Sequence, residues 1–242
     1  MEYPFTFATY RRLLGALQEA CYSSAAMSEA MPMLQARKRF VLLRHDVDFD
    51  LQAAIKLAEI DAEARYPSTF FFLLGSLHYN LFSPEASQSV RRILDLGHRV
   101  GLHFDCANYS PSASVADLAA ACRREVDILQ GWFGVNIDAV SYHRPNARVL
   151  SGDPELSRPY PHTYLPLYTK DIHYCSDSRG TWRFGFPLET QAFREKKPLH
   201  ILIHPIWWTE TDLPPINKLQ AYAALHVRRM DRSVAANCEV YR

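Results

Sequence analysis

Phe40-Val41-Leu42-Leu43-Arg44-His45-Asp46-Val47-Asp48 decides the fold, because four apolar residues run directly into a cluster of ionisable ones. A short continuous apolar run ahead of a helical pattern reads as a buried strand of a parallel sheet, covered on both faces. Such a pattern follows. From Asp50 to Arg65, Leu51, Ala54, Ile55, Ala58 and Ala62 recur at helical spacing and leave the charged residues on other faces. Thr69 to Leu74 gives a second buried strand, rich in aromatics. Ser83-Pro84-Glu85 opens a helix with an N-cap, a proline at the first helical position and a carboxylate in the first turn, and Gly97 closes it. Val100 to His103 is a third strand, Val115 to Phe133 a long amphipathic helix and Ile137 to Tyr142 the next strand. Ser151 to Pro166 holds four prolines and predicts an extended surface excursion. Leu199 to His204 restores the strand pattern, and Pro214 to Met230 predicts a closing helix. Strands alternating with helices in this order predict an α/β fold on a mostly parallel sheet.

Polar residues gather just past successive strands: Asp46 and Asp48, then His103 and Asp105, then Arg144, then His204. In parallel α/β folds the carboxyl ends of the strands meet at one face, so these scattered positions converge there. Asp46 and Asp48 stand two residues apart, and strand alternation points both to one side. One carboxylate can ligate a divalent cation while the other stays free as a base for the water that such a cation acidifies. Two carboxylates and an imidazole suit Zn²⁺ or another first-row divalent ion.

The bulk numbers remove several alternatives. The chain of 242 residues, 48% apolar, is long enough for one large core, and no repeat or linker divides it. The reading is therefore one domain over residues 1–242, with residues 1–35, helical from Tyr10 to Cys21, as a cap. Lys and Arg number 27 against 26 for Asp and Glu, which supplies no field for nucleic acid or an anionic membrane surface. The longest apolar stretches are too short to span a bilayer. The opening Met1-Glu2-Tyr3-Pro4 does not read as a signal peptide, and Cys21, Cys106, Cys122, Cys175 and Cys238 form an odd set without a CxxC pair. A cytoplasmic location is the expectation.

Arg44-His45-Asp46-Val47-Asp48 after an apolar strand, Gly97-His98-Arg99-Val100-Gly101-Leu102-His103 about fifty residues on, then Tyr142-His143-Arg144-Pro145 and a late Leu202-Ile203-His204-Pro205, resemble the polysaccharide deacetylase family, carbohydrate esterase family 4. The resemblance covers roughly residues 40 to 210. It implies an irregular TIM-like barrel of about seven parallel strands, and removal of acetyl groups from N-acetylated sugars with a divalent cation: zinc, or cobalt, manganese or nickel. It implies Asp46 as the base, Asp48 and His103 as metal ligands and His98 as structural. Arg144 resembles the arginine that orients the base, Asp177 near Trp182 a further acid, and His204 the group that protonates the leaving amine. The substrate class is a carbohydrate, and with a cytoplasmic location a nucleotide- or lipid-linked precursor of a surface polysaccharide such as O-antigen.

One position departs from the family pattern. Four residues after His103, where the family carries a second metal histidine, stands Ala107. Two protein ligands hold a catalytic metal poorly. Asp105, Asn108, His45 and His143 are the candidates for a third, with Asp105 slightly favoured. Another C–N amide hydrolase on the same scaffold, or a carbohydrate-binding protein with a decayed metal site, are the rival readings. Asp50 reads as a helix cap. His78, His162, His173 and His226 receive no role, Trp207 and Trp208 read as packing, and the cysteines as inert fillers.

Overall fold

In the computed structural model, which describes residues 3–241, β2 (Phe40–Val47) is central and buried along its whole length. Met1 and Glu2, where the N-terminal reading begins, and Arg242 lie outside the described residues. The strand runs four residues further than its apolar half, so Arg44, His45 and Asp46 are strand residues rather than loop residues. Short β1 (Ser23–Ser24), which the sequence did not disclose, pairs with the start of β2. Then come β3 (Thr69–Phe72), β4 (Arg99–Asp105), β5 (Val140–His143), β6 (His173–Ser176) and β7 (Leu199–Ile203). All pairings are parallel, in the order β5-β4-β3-β2-β7-β6, with β1 off this path.

The expected barrel is open. No ladder joins β5 to β6, and the sheet curls into a half-barrel. The proline-rich stretch after β5 occupies that side. Val140 N donates to Pro161 O and Thr163 N to Val140 O, and Leu156, Ser157, His162 and Thr163 are buried. The surface excursion expected for Ser151–Pro166 is thus corrected: the segment satisfies the backbone groups of an edge strand that would otherwise go unpaired.

The helices are α1 (Phe7–Glu19), α2 (Ala30–Gln35), α3 (Leu51–Glu63), α4 (Pro84–Asp95), α5 (Val115–Phe133), α6 (Ala147–Leu150), α7 (Gln191–Arg194) and α8 (Pro215–Asn237). Their starts follow from local chemistry. Asp50 accepts from Gln52 N and Ala53 N at the head of α3, Ser83 from Ala86 N at α4, and Ser114 with Asp117 closes a capping box at α5. Each cap satisfies donors that a helix leaves orphaned and contributes about 1 kcal/mol. α8 runs to Asn237, seven residues beyond the apolar pattern, and Lys218 is its one buried residue.

Strand alternation sorts the core into layers. Outward-facing Phe70, Phe72, Val100, Leu102, Phe104 and Val140 pack under α3, α4 and α5. Val41, Leu43, Leu199, Ile201 and Ile203 pack under α1 through Tyr10, Leu13, Leu14 and Leu17. Inside the curl, Phe40, Leu42 and Phe71 form an apolar floor with Ala139, Tyr168 and Ile172. Gly101 belongs to that floor by necessity, since a Cβ there would stand 2.3 Å from the Phe71 ring. The inward face of β2 therefore climbs from Phe40 and Leu42 on the floor to Arg44 and Asp46 above it.

Candidate metal centre and catalytic cleft

Above the floor opens a cleft of about 760 Å³. β2 contributes Arg44 and Asp46 with Asp48 just past its end, β4 contributes His103, β5 contributes His143, and His204 follows β7. A larger groove, about 1060 Å³, lies against α3, α4 and α8 and contains none of these residues.

Three donor atoms converge in the cleft. Asp48 Oδ1 lies 3.0 Å from His103 Nε2 and 3.3 Å from His143 Nδ1, and one ligand atom from each residue falls within 4.8 Å of the others. Asp48 Oδ1 is buried yet receives no hydrogen bond of acceptable geometry. A buried carboxylate oxygen without a donor is costly, whereas an oxygen and two imidazole nitrogens around one point are a donor set that a first-row divalent ion satisfies. The residues present fit such an ion. Register explains the imidazole orientation. His103 is paired with Ser141 across the β4–β5 ladder, and its Nδ1 lies 2.5 Å from Ser141 Oγ, which leaves Nε2 to face Asp48.

Beside this cluster, Asp46 is gripped by Arg44: Nε donates to Oδ1 at 2.8 Å and Nη2 to Oδ2 at 2.6 Å, with both side chains nearly inaccessible. Burial by itself would raise the Asp46 carboxyl, but the Arg44 guanidinium, together with the neighbouring His103 and His204, outweighs it and holds the group below its usual range. Ser141 Oγ is 3.4 Å from Asp46 Oδ1, so one hydroxyl touches both the base candidate and His103.

The other wall carries a coupled pair. His204 Nδ1 is 2.6 Å from Asp177 Oδ1, the His204 backbone N–H donates to the same carboxylate, and Trp208 Nε1 donates to Oδ2 at 2.8 Å. Burial disfavours the charged imidazole. The Asp177 carboxylate, aided by Asp48 and Asp46, more than offsets that and lifts His204 to about 9, so it is protonated at neutral pH.

Asp46, Asp48, His103 and His204 thus share the cleft, with Asp177 directly behind His204. Arg144 and Asp105 do something different from the sequence expectation. Asp105 is bound by Arg144 through Nε at 3.2 Å and through Nη2, and it also accepts from Ala107 N at 3.0 Å, capping the turn Cys106–Asn108. It stays out of the three-donor cluster, and Arg144, largely exposed, stays away from Asp46. His45 faces the other side of β2 and binds Asp61 at 2.8 Å. His98, between Ser68 and Ala58 O, is a buried structural group. Of the four candidate third ligands, His143 is the one that joins Asp48 and His103.

Two residues escaped the sequence reading. Arg44 shares the parity of Asp46 and Asp48, so the period-two rule was enough to place it on their face. Ser141 left no such signal, because its position depends on the β4–β5 register.

No family model and no curated protein matches the chain. Solved structures show a loose likeness. The Streptococcus pyogenes deacetylase PplD in complex with acetate is 18% identical, with 87% of this chain and 84% of that one covered at a TM-score of 0.48. The chitin deacetylase of the fungal pathogen Colletotrichum lindemuthianum is 17% identical, with coverage of 77% and 81% and a TM-score of 0.40. A BA3943 mutant, described as a family 4 carbohydrate esterase pseudoenzyme with restored activity, is 14% identical, with coverage of 79% and 64% and a TM-score of 0.47.

Proposed function

We propose that this chain is a divalent-metal-dependent hydrolase that removes an N-acetyl group from a sugar, the activity of the polysaccharide deacetylases its motifs resemble. One observation carries the reading: the Asp48, His103 and His143 donors, the ionised Asp46 and the protonated His204 all face a single cleft. Asp48, His103 and His143 would hold the ion, with zinc the first choice and cobalt, manganese or nickel acceptable to the same donors. When bound, a divalent ion supplies Lewis-acid polarisation of the acyl oxygen and a more acidic water.

The remaining chemistry belongs to the chain. Asp46, kept ionised and in one orientation by Arg44, takes a proton from the attacking water. His204, charged through Asp177, gives its proton to the departing nitrogen. A low carboxyl and a raised imidazole set the two groups in the protonation states those roles require at neutral pH. Arg44 and Asp177 act as positioning residues, the first for the base and the second for the acid. Arg144 and Asp105 hold the turn beside the cleft.

The five cysteines are free, which suits a reducing compartment. Among the described residues no helix is long and apolar enough to cross a membrane. A sugar precursor of a surface polysaccharide, met in the cytoplasm, is accordingly the substrate of choice. The deciding measurement is acetate release from N-acetylated sugars and sugar precursors after loading with Zn²⁺, Co²⁺ or Mn²⁺. Release that needs the ion and disappears in Asp46→Asn supports the reading. Stoichiometric metal without acetate from any sugar points to another amide, and failure to bind metal to a decayed site.

A further inference from the structure

We infer that the cleft selects an N-acetylated sugar that carries a phosphate, for which the 1-phosphate is the probe, with the phosphate held at the mouth by Arg179 and Arg183; this rests on the deacetylase reading. The charge inventory is the first argument. Four arginines and two aspartates line the cleft. Arg44 is paired with Asp46, Arg144 with Asp105, and His204 with Asp177. Arg179 and Arg183 are exposed, and neither enters an ion pair among the described residues. The whole chain carries a formal charge of +1, so this surplus is local. Guanidiniums can donate to neutral sugar hydroxyls, but a phosphate matches both the charge and the planar fork of two unpaired ones.

The backbone gives the second argument. Among the described residues, seven other than glycine have positive φ. Cys21, Arg37, Arg65 and Lys196 each stand two positions past the end of a helix, where a left-handed residue is ordinary. The other three, Arg144, Arg179 and Phe184, all line the cleft. A left-handed non-glycine residue costs roughly 1–2 kcal/mol, and such strain collects at ligand sites. The mouth loop is held in place to bear it. Ser176 N donates to Arg183 O at 3.2 Å and Arg183 N to Ser176 O at 2.7 Å, closing a hairpin that begins at the buried Asp177 and carries Arg179 on its turn. Asp177, which holds His204, therefore shares one short loop with the two free arginines, and this sets the anion site on the side of the cleft that bears His204. Phe184, 61% exposed with the Arg183 guanidinium 5.7 Å above its ring, adds a flat apolar wall to that site.

Isothermal titration of the zinc-loaded protein with N-acetylglucosamine 1-phosphate and with neutral methyl N-acetylglucosaminide tests this. The phosphate should bind about tenfold more tightly or better, and the preference should shrink as salt rises from about 50 mM to about 500 mM. R179E/R183E should bring the two affinities to within about twofold with zinc content unchanged. Equal affinities in the wild-type protein overturn the inference. So does a preference that survives the double charge reversal, since the phosphate would then be on the metal. A nucleoside diphosphate sugar forms a third arm: tighter binding than the 1-phosphate names a nucleotide-linked sugar, and equal binding a phosphate with any other attachment, both consistent with the anion site. Acetate release is scored separately, so phosphate-dependent binding without release defeats the deacetylase reading and leaves the arginine site standing.

Discussion

His143 Nδ1 stands 3.3 Å from Asp48 Oδ1, although the strands that carry them to this point, β5 and β2, are separated in the sheet by β3 and β4. Curling of the sheet brings them together. His143→Ala should reduce zinc affinity by more than the roughly 10–100-fold that loss of a residue behind a ligand costs, because it removes a ligand itself. Asp105→Asn, which keeps an oxygen to cap the Cys106–Asn108 turn and removes the charge paired with Arg144, should leave one ion per chain. Metal analysis of both purified variants reads the difference, and the opposite order would transfer the third-ligand role to Asp105.

The Asp177–His204 pair sets an alkaline limit. Its raised folded value of about 9 means that the acid is loaded below that pH and is lost as pH rises through it. Activity should therefore hold through neutral pH and fall above about 9. Asp177→Asn keeps the shape but removes the charge that favours the imidazolium, so the limb should move down by at least about one pH unit. A kcat/KM profile against pH for the two proteins checks it. An unmoved limb would assign the titration to another group.

Two arginine–aspartate pairs, one buried and one at the surface, should differ sharply in stability. Arg44→Met leaves Asp46 charged and unpaired beneath the cleft, a change that costs about 3–5 kcal/mol. The Arg144 side chain is 57% exposed, and Arg144→Ala should cost within about 1 kcal/mol. Urea denaturation of both variants measures the contrast. Comparable losses would mean that Arg144, not Arg44, anchors the ionic layer.

Legibility of the fold followed burial. Strands β2, β3, β4 and β7 announced themselves because each contains an apolar stretch covered on both faces, and the caps at Asp50 and Ser83 marked where two of the helices begin. β6, with the sequence His173-Tyr174-Cys175-Ser176, is short and polar enough to pass for a loop. The proline-rich stretch read as surface because prolines mark turns, yet it shields an edge strand. Within the site, local rules reached what one strand carries: Asp46 and Asp48 by alternation, and in principle Arg44. The choice of His143 over Asp105 depends on the relative height of β2, β4 and β5, a property of register that no single segment encodes.

That division between the faces of β2 supplies the last prediction. His45 sits between Arg44 and Asp46 in sequence but on the opposite face, where its Nε2 lies 2.8 Å from Asp61 Oδ2. Asp61 also accepts from Tyr10 of α1 at 2.6 Å and from Ser68 at 2.6 Å, and all four groups are buried. This network ties α1 and α3 to the back of the sheet beneath the apolar cluster they share. Asp61→Ala removes an acceptor that three donors depend on, so it should destabilise the fold by about 3–5 kcal/mol, the range for breaking a buried ionic network. Asp48→Ala removes a carboxylate from the cleft and should change unfolding far less in metal-free protein, while abolishing zinc retention. Denaturation midpoints measured with and without zinc separate the two: the Asp61 variant should lose stability in both conditions and, where still folded, bind one ion. Loss of zinc in that variant at full native structure would make the His45 side of β2 part of the site and not its support.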